Sequence, residues 1–97
     1  MLSKNEILQY LRRYKEENKQ VYSINKLGIF GSFSRDEASS SSDIDIVVDF
    51  HKADIFNQIS IKQELEKTFG TKVDIVALWK HMNPKLRSRI DRDALYV

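Results

Sequence analysis

Three aspartates lie in stretches that otherwise have the pattern of buried β-strands. Asp43 and Asp45 alternate with isoleucines, and Asp74 follows Val73 in a second β-branched run. An ionised carboxylate removed from water is costly unless it is paired or bound to a metal, and too few basic residues lie in these runs to pair all three. Strand periodicity puts Asp43 and Asp45 on one face, about 6 to 7 Å apart. This all-oxygen donor set selects Mg²⁺ or Mn²⁺.

Asp74 completes the predicted metal site if its strand lies beside the strand that carries Asp43 and Asp45. Two cations about 3.5 to 4 Å apart would then clamp the attacking and leaving oxygens of a phosphoryl transfer. The alternative is that the aspartates are solvent-exposed at strand ends. That alternative is strongest for Asp74, whose neighbours are less diagnostic.

A candidate phosphate site precedes these carboxylates. Gly31 and Ser32 close an apolar run, and ten residues separate Ser32 from Asp43. Glycine lets the backbone approach a phosphate, and the serine hydroxyl and following amides can donate to its oxygens. By itself a Gly-Ser pair is a common turn, so its spacing from the carboxylates carries the inference. Arg35 lies on the same side of a predicted short helix, where it binds a phosphate or forms a structural ion pair.

Hydrophobic periodicity and capping signals predict the elements that position these residues. In chain order they are a helix over 4–19 behind a Ser3/Glu6 capping box, a strand over 27–30, one or two helical turns over 32–38, a flexible serine loop over 39–42, a strand over 43–50, a helix over 54–69 ended by Gly70, a strand over 73–78 and a helix from Pro84. The long second helix is expected to face inward with Ile55, Ile59, Ile61, Leu65 and Phe69.

This alternation predicts an α/β (α+β) fold, in which a small mixed β-sheet of three or four strands is covered by helices. A length of 97 residues with 41% hydrophobic and 31% charged side chains indicates one domain over 1–97. The absence of cysteine excludes disulfides, thiolate metal sites and a cysteine nucleophile, and it fits a reducing compartment. No run approaches the roughly 20 apolar residues of a membrane span, so we expect a cytoplasmic protein without membrane contact.

The charge balance does not favour direct binding of nucleic acid, because the formal net charge is only +2. A local basic cluster near the end of the chain comprises Lys80, Lys85, Arg87, Arg89 and Arg92. A solvated helix face is the simpler interpretation of this cluster. Contact with an acidic partner surface or with nucleic acid is the alternative.

Three segments together resemble a known family. They are Gly31-Ser32-Phe33-Ser34-Arg35, Ser42-Asp43-Ile44-Asp45 after the ten-residue spacer, and Lys72-Val73-Asp74-Ile75-Val76. They are similar to the minimal nucleotidyltransferases of the DNA polymerase β superfamily, the antitoxins of HEPN/MNT toxin-antitoxin pairs. The similarity covers nearly the whole chain, and its glycine-serine and double-aspartate motif is specific to the superfamily.

The resemblance implies a polymerase-β-like nucleotidyltransferase fold and a particular reaction. It implies that Asp43, Asp45 and Asp74 bind two catalytic Mg²⁺ ions and that Gly31 and Ser32 hold the triphosphate of ATP. It further implies an antitoxin that transfers AMP to a tyrosine of a HEPN ribonuclease toxin encoded by a neighbouring gene, with which it forms a hetero-oligomer.

Two positions depart from the family pattern. Family members often have alanine before the arginine and glycine after it, whereas this chain has Ser34 and Asp36. An extra carboxylate near a triphosphate weakens nucleotide binding if it points inward, whereas at a helix N-terminus it interacts favourably with the dipole.

Other functions stay open at this point. A small-molecule nucleotidyltransferase, acting for example on an aminoglycoside, needs a substrate wall that 97 residues scarcely provide. A non-catalytic binding module would silence its partner by occlusion, with a vestigial acidic triad. The intact triad disfavours this, because costly buried charges are lost when they have no use.

Overall fold

A four-stranded sheet lies at the centre of the structure, a computed structural model that describes residues 2–97. The elements are α1 (Lys4–Asn18), β1 (Ile24–Phe30), β2 (Ile44–Phe50), α2 (Ile55–Phe69), β3 (Val73–Ala77), α3 (Pro84–Asp93) and β4 (Leu95–Tyr96). The strand order is β3-β2-β1-β4, with β1 antiparallel to both neighbours and β2 parallel to β3. The predicted mixed sheet covered by helices is confirmed.

Local capping signals set the limits of α1 and α2. Ser3 and Glu6 form the predicted capping box at the start of α1. The Asp54 carboxylate accepts hydrogen bonds from the Phe56 and Asn57 amides at 2.8 and 3.3 Å, which satisfies free donors at the start of α2. Gly70 ends α2 with a φ of 66°, in the left-handed region that favours glycine.

One part of the prediction for α2 is wrong. Ile61 and Leu65 are fully buried, but Ile55 and Ile59 are 61% and 45% exposed. The reason is helical phase: at about 100° per residue, Ile59 lies about 200° around the helix from Ile61. The two isoleucines therefore belong to the outer face, and only the later turns of α2 pack into the core.

The two faces of the sheet carry different layers. Ile44, Ile46 and Val48 alternate along β2 and pack into the larger core with α1 and α2. Val47 points the opposite way and packs with Ile90 of α3 in a second, smaller core. Within residues 2–97, no helix has the length and apolar character needed to cross a bilayer.

The segment between β1 and β2 differs from its prediction. Residues 32–36 form turns rather than a regular helix, although the Arg35 amide donates to the Gly31 carbonyl at 3.2 Å. Asp36 has a φ of 59°, and this left-handed residue stops a right-handed helix from continuing. The serine segment over 39–42 is a loop, in which the Ser39 amide donates to Ser42 Oγ at 2.9 Å.

The sheet extends further than the sequence indicates at two places. β1 begins at Ile24 rather than at Leu27, and its first residue pairs with Phe50. β4 adds a short fourth strand beside Gly28. A Cβ at Gly28 would overlap the Leu95 carbonyl oxygen, so glycine allows this close approach.

The Asp54 cap leads to a first prediction. Asp54→Ala removes the acceptor for two amides and should lower the free energy of unfolding by about 1 kcal/mol, or roughly 4–8 °C in Tm for a domain of this size. Asp54→Asn keeps an acceptor and should stay close to the parent in the same thermal denaturation. Equal losses in both variants would contradict a capping role.

Candidate active site

The pairing of β2 with β3 brings two of the predicted aspartates together. The parallel register places Asp45 directly opposite Asp74. Asp45 alternates with the α3-facing Val47, and Asp74 alternates with Val76, which packs against the same small core. Both carboxylates therefore lie on the α3 side of the sheet, and Asp43 immediately precedes β2. The predicted adjacency of the two strands is confirmed.

Asp45 is the carboxyl at this end of the sheet whose pKa is shifted by its surroundings. Partial burial raises the pKa of its carboxyl, and the nearby carboxylates of Asp74 and Asp43 raise it further. The positive charges of Arg89 and Arg35 oppose this rise in the pKa of Asp45. The pKa of Asp45 remains above its ordinary value, so its charged form is disfavoured in the folded chain, first by burial and then by the neighbouring carboxylates.

The donor set suits a hard divalent cation, since it consists of carboxylate oxygens. Asp43, however, lies 3.9 Å from Lys72 Nζ, and within residues 2–97 no three Asp, Glu, His or Cys side chains converge to metal-ligand geometry. A shared cation would therefore have to compete with Lys72 for the Asp43 carboxylate. The residue types fit the predicted magnesium site, and the backbone register supports Asp45 and Asp74 as its centre.

The turn after β1 packs directly against Asp45. Gly31 has a φ of 75°, and a Cβ built on it would overlap Asp45 Oδ2. Glycine is thus required twice, for its conformation and for space. Ser34 Oγ donates to the Gly31 carbonyl at 2.8 Å, which holds the turn in shape. Ser32 is partly exposed beside this turn, as a phosphate-binding hydroxyl must be.

An open cleft of about 330 Å³ connects the turn, the sheet and α3. Its walls are formed by Phe30, Gly31, Ser32, Arg35, Asp45, Val76, Leu86, Arg89 and Asp93. Four of the six residues singled out from the sequence line this cleft. Asp43 and Asp74 are not among the residues that line it.

Arg35 is less available than the sequence suggests. Its guanidinium pairs with Asp93 at 2.7 Å and with Glu37 at 3.1 Å. The Asp93 side chain is only 4% exposed and also pairs with Arg92 at 2.8 Å. The hydrogen bonds from Arg92 and Arg35 lower the pKa of Asp93 to about 2. Arg35 therefore ties the turn to the end of α3.

The two departures from the family pattern leave the cleft clear. Asp36 pairs with Lys4 of α1 at 2.9 Å and is not among the residues that line the cleft. Ser34 bonds to the turn backbone. Asp36 also has a positive φ, a backbone conformation that glycine adopts without strain.

Arg89 is the cleft residue that sequence reasoning missed. The sequence places Arg89 in a basic cluster whose simpler interpretation is a solvated helix face, yet Arg89 lines the cleft with Leu86 and Asp93. These three positions are spaced three and four residues apart beside the buried Ile90, so they share one face of α3. This helical spacing was the signal that could have found it.

The fold and the site together define a nucleotidyltransferase. A profile of the family described as polymerase beta, nucleotidyltransferase, matches residues 5–96, and the chain belongs to this family. It is 34% identical over 98 residues to the protein adenylyltransferase MntA of Thermococcus cleftensis, covering 100% of this chain and 98% of that one. The chain is therefore an enzyme of the nucleotidyltransferase class, similar along its whole length to a protein adenylyltransferase.

Solved structures with the same fold support this assignment. A candidate minimal nucleotidyltransferase superposes with a TM-score of 0.76 at 28% identity, over 97% of this chain and 95% of that one. A toxin-antitoxin with AMP-PNP gives 0.71 at 24% identity, over 98% and 72% of the two chains. A tri-AMPylated HEPN toxin of Shewanella oneidensis in complex with MNT antitoxin gives 0.64 at 20% identity, over 92% and 70%. The last two likenesses concern the fold alone.

The close contact at Gly31 yields a prediction with an internal control. Gly31→Ala and Gly70→Ala both force alanine into the left-handed region, at about 1–2 kcal/mol each. Only Gly31→Ala also clashes with Asp45, since no described atom lies within 4 Å of a Cβ at Gly70. Chemical denaturation should show the larger loss of unfolding free energy for Gly31→Ala. A larger loss at Gly70 would contradict the packing of the turn on Asp45.

The charge on Asp45 leads to a prediction about pH. Because the folded pKa of Asp45 lies above its ordinary 3.8, the folded state binds this proton more tightly than the unfolded state. The contribution of Asp45 to stability therefore falls as pH rises from its ordinary pKa through its raised folded pKa. Relative to the parent, Asp45→Asn should gain stability from pH 4 to pH 7 in urea denaturation without metal. A stability difference that does not change with pH would contradict the raised pKa.

Proposed function

We propose that the chain is an Mg²⁺-dependent protein adenylyltransferase, an antitoxin that transfers AMP from ATP to a tyrosine hydroxyl of a HEPN ribonuclease toxin and thereby neutralises it. The observation that carries the proposal is the register of Asp45 with Asp74 beside the Gly31 turn. The similarity to MntA, and the complexes with AMP-PNP and with an AMPylated HEPN toxin, support the reaction and the partner.

Each site residue has a defined task in this reaction. The Ser32 hydroxyl and the amides after Gly31 donate hydrogen bonds to the triphosphate. Asp43, Asp45 and Asp74 would hold Mg²⁺, which neutralises phosphate charge and lowers the pKa of the acceptor hydroxyl when bound. Asp74 positions or accepts the hydroxyl proton. Arg35 keeps the turn in place against α3.

The bond changes balance without any further reactant. The tyrosine oxygen gives up its proton to Asp74, attacks the α-phosphorus in line and forms the new ester bond. The bond from the α-phosphorus to the bridging oxygen breaks, and pyrophosphate leaves with that oxygen. The protein contributes by positioning and by neutralising charge, since it forms no covalent bond to AMP.

We also propose that the chain acts as a single domain over 1–97 in the cytoplasm, where ATP is available, and that it forms a hetero-oligomer with the toxin encoded by a neighbouring gene. The open cleft supports a protein acceptor, because a second molecule has to deliver the tyrosine and close the cleft from outside. The family match over residues 5–96 supports the one-domain description.

A second candidate is a binding module that acts by occlusion. The contact between Asp43 and Lys72 favours it, because this carboxylate is ion-paired to a lysine and joins no group of three metal-ligating side chains within residues 2–97. In that case the chain would bind the toxin and block it without chemistry. The two functions differ in whether the toxin gains mass and in whether neutralisation depends on the carboxylates.

The test combines the purified chain with ATP, Mg²⁺ and the HEPN protein of the adjacent gene, and weighs the products by mass spectrometry. The toxin should gain one or more AMP units. Asp43→Asn and Asp45→Asn should each reduce transfer by more than about 100-fold while the fold is kept, because loss of a direct ligand exceeds the effect of outer residues. Asp49→Asn, at the far end of β2 and bonded to Asn25 at 2.7 Å, is the matched control.

The outcomes separate the candidates. Transfer by Asp45→Asn at the parent rate would reject the assignment of the carboxylates. A complex without any mass gain, neutralised equally well by Asp43→Asn, would establish occlusion in place of catalysis.

A further inference from the structure

Two arginines line the cleft, and within residues 2–97 only one of them is ion-paired to carboxylates. Arg35 is engaged by Asp93 and Glu37, as described above. Arg89 takes part in no side-chain ion pair within residues 2–97, whereas its neighbours along α3 do: Arg87 pairs with Asp91 at 3.1 Å and Arg92 with Asp93 at 2.8 Å. Of the two cleft arginines, Arg89 alone keeps its positive charge uncompensated by a direct partner.

The position of Arg89 is set by the packing of α3. Ile90 is fully buried in the small core with Val47 and Phe30, and it anchors the helix on the sheet. With Ile90 held there, the adjacent positions Leu86, Arg89 and Asp93 line the cleft. Arg89 thus lines the same cleft as Ser32 and Asp45, without being part of the turn.

A triphosphate bound in the cleft would need a positively charged group that is not already paired. ATP brings several negative charges to a place where Asp45, Asp43 and Asp74 already repel one another. Backbone amides at Gly31 and Ser32 supply only partial charges, and Arg35 is neutralised by two carboxylates. A planar guanidinium binds two phosphate oxygens at once, which makes an arginine without a carboxylate partner the suitable group for a triphosphate.

We propose that Arg89 is a phosphate-binding residue that holds the triphosphate of ATP from the α3 side of the cleft. This inference rests on the proposed function, since it names a further contact for the same nucleotide. The Gly-Ser turn binds the triphosphate from one wall and Arg89 from the other. Arg35, the arginine nearest the motif in sequence, is a positioning residue that ties the two walls together through Asp93.

Titration calorimetry on the full-length chain with ATP and Mg²⁺ tests the proposal. Arg89→Gln should weaken ATP binding by about tenfold to a hundredfold, the usual range for a lost hydrogen-bonded charge contact. Arg89→Lys should recover part of the affinity, because it restores the charge without the paired donors. The variants should change adenosine binding by less than about twofold, since adenosine carries no phosphate.

Arg87→Gln is the matched control, because it removes an arginine from the same helix whose side chain pairs with Asp91 on the outer face. It should bind ATP within about twofold of the parent. In transfer assays, Arg89→Gln should raise KM for ATP more than it lowers kcat, a split that a purely structural role would not produce. Thermal melts of the variants, each expected within a few degrees of the parent, show that the fold is kept.

The failures can be told apart. If the parent binds ATP and Arg89→Gln binds it equally well, the role of Arg89 is rejected and the proposed function stands. Unchanged ATP affinity with lost transfer to the toxin would likewise reject the proposal and assign Arg89 to partner contact. If the parent itself binds no ATP, the proposed function and the role of Arg89 fall together.

Discussion

The constraint on which the rest of the structure depends is the repulsion between carboxylates that the sheet register forces together. The parallel pairing of β2 and β3 leaves the backbones of Asp45 and Asp74 no freedom to separate. The burial of Asp45 and the like charges of its neighbours oppose folding, and both raise the pKa of Asp45. The folded chain tolerates it because the same strand carries Ile44, Ile46, Val47 and Val48, all fully buried. The core of the sheet thus stabilises a site that is unfavourable by itself.

The two faces of the sheet differ in how many side chains they bury. The larger core on the α1 and α2 side contains most of the buried side chains. The α3 side has a small core of Phe30, Val47, Met82 and Ile90, and its remaining surface is the cleft. A thin layer on this side leaves an open cleft between the sheet and α3, which is where the proposed nucleotide would bind. The ion pair from Arg35 to Asp93 links the two walls where apolar packing is sparse.

Features that depend on neighbouring residues could be predicted from the sequence. The capping box at Ser3, the Asp54 cap, the Gly70 terminator and the alternation along β2 are all local, and each is confirmed. The mixed sheet followed from the alternation of elements. The exposure of Ile55 and Ile59 could also be predicted, because it follows from helical phase. The apolar character of these residues, taken without their angular positions on the helix, predicts the wrong face.

Features that depend on distant residues could not be predicted in the same way. The partner of Arg35 is 58 positions away, and only the folded chain shows that Asp93 neutralises it. The contact between Asp43 and Lys72 joins residues before two different strands. Asp43, Asp45, Asp74, Gly31 and Ser32 were identified by type and spacing, and their roles remain proposals. Arg89 carries no motif, so its place in the cleft emerged only from the packing of α3.

The contact between Gly31 and Asp45 also bears on how this protein can diversify. Any side chain at position 31 enters the space of the Asp45 carboxylate, so a larger residue there is tolerated only if position 45 shrinks or moves. Shrinking position 45 removes a carboxylate from the site. Natural variation at the two positions is therefore linked, and lineages that keep the enzyme are expected to inherit this glycine and this aspartate together.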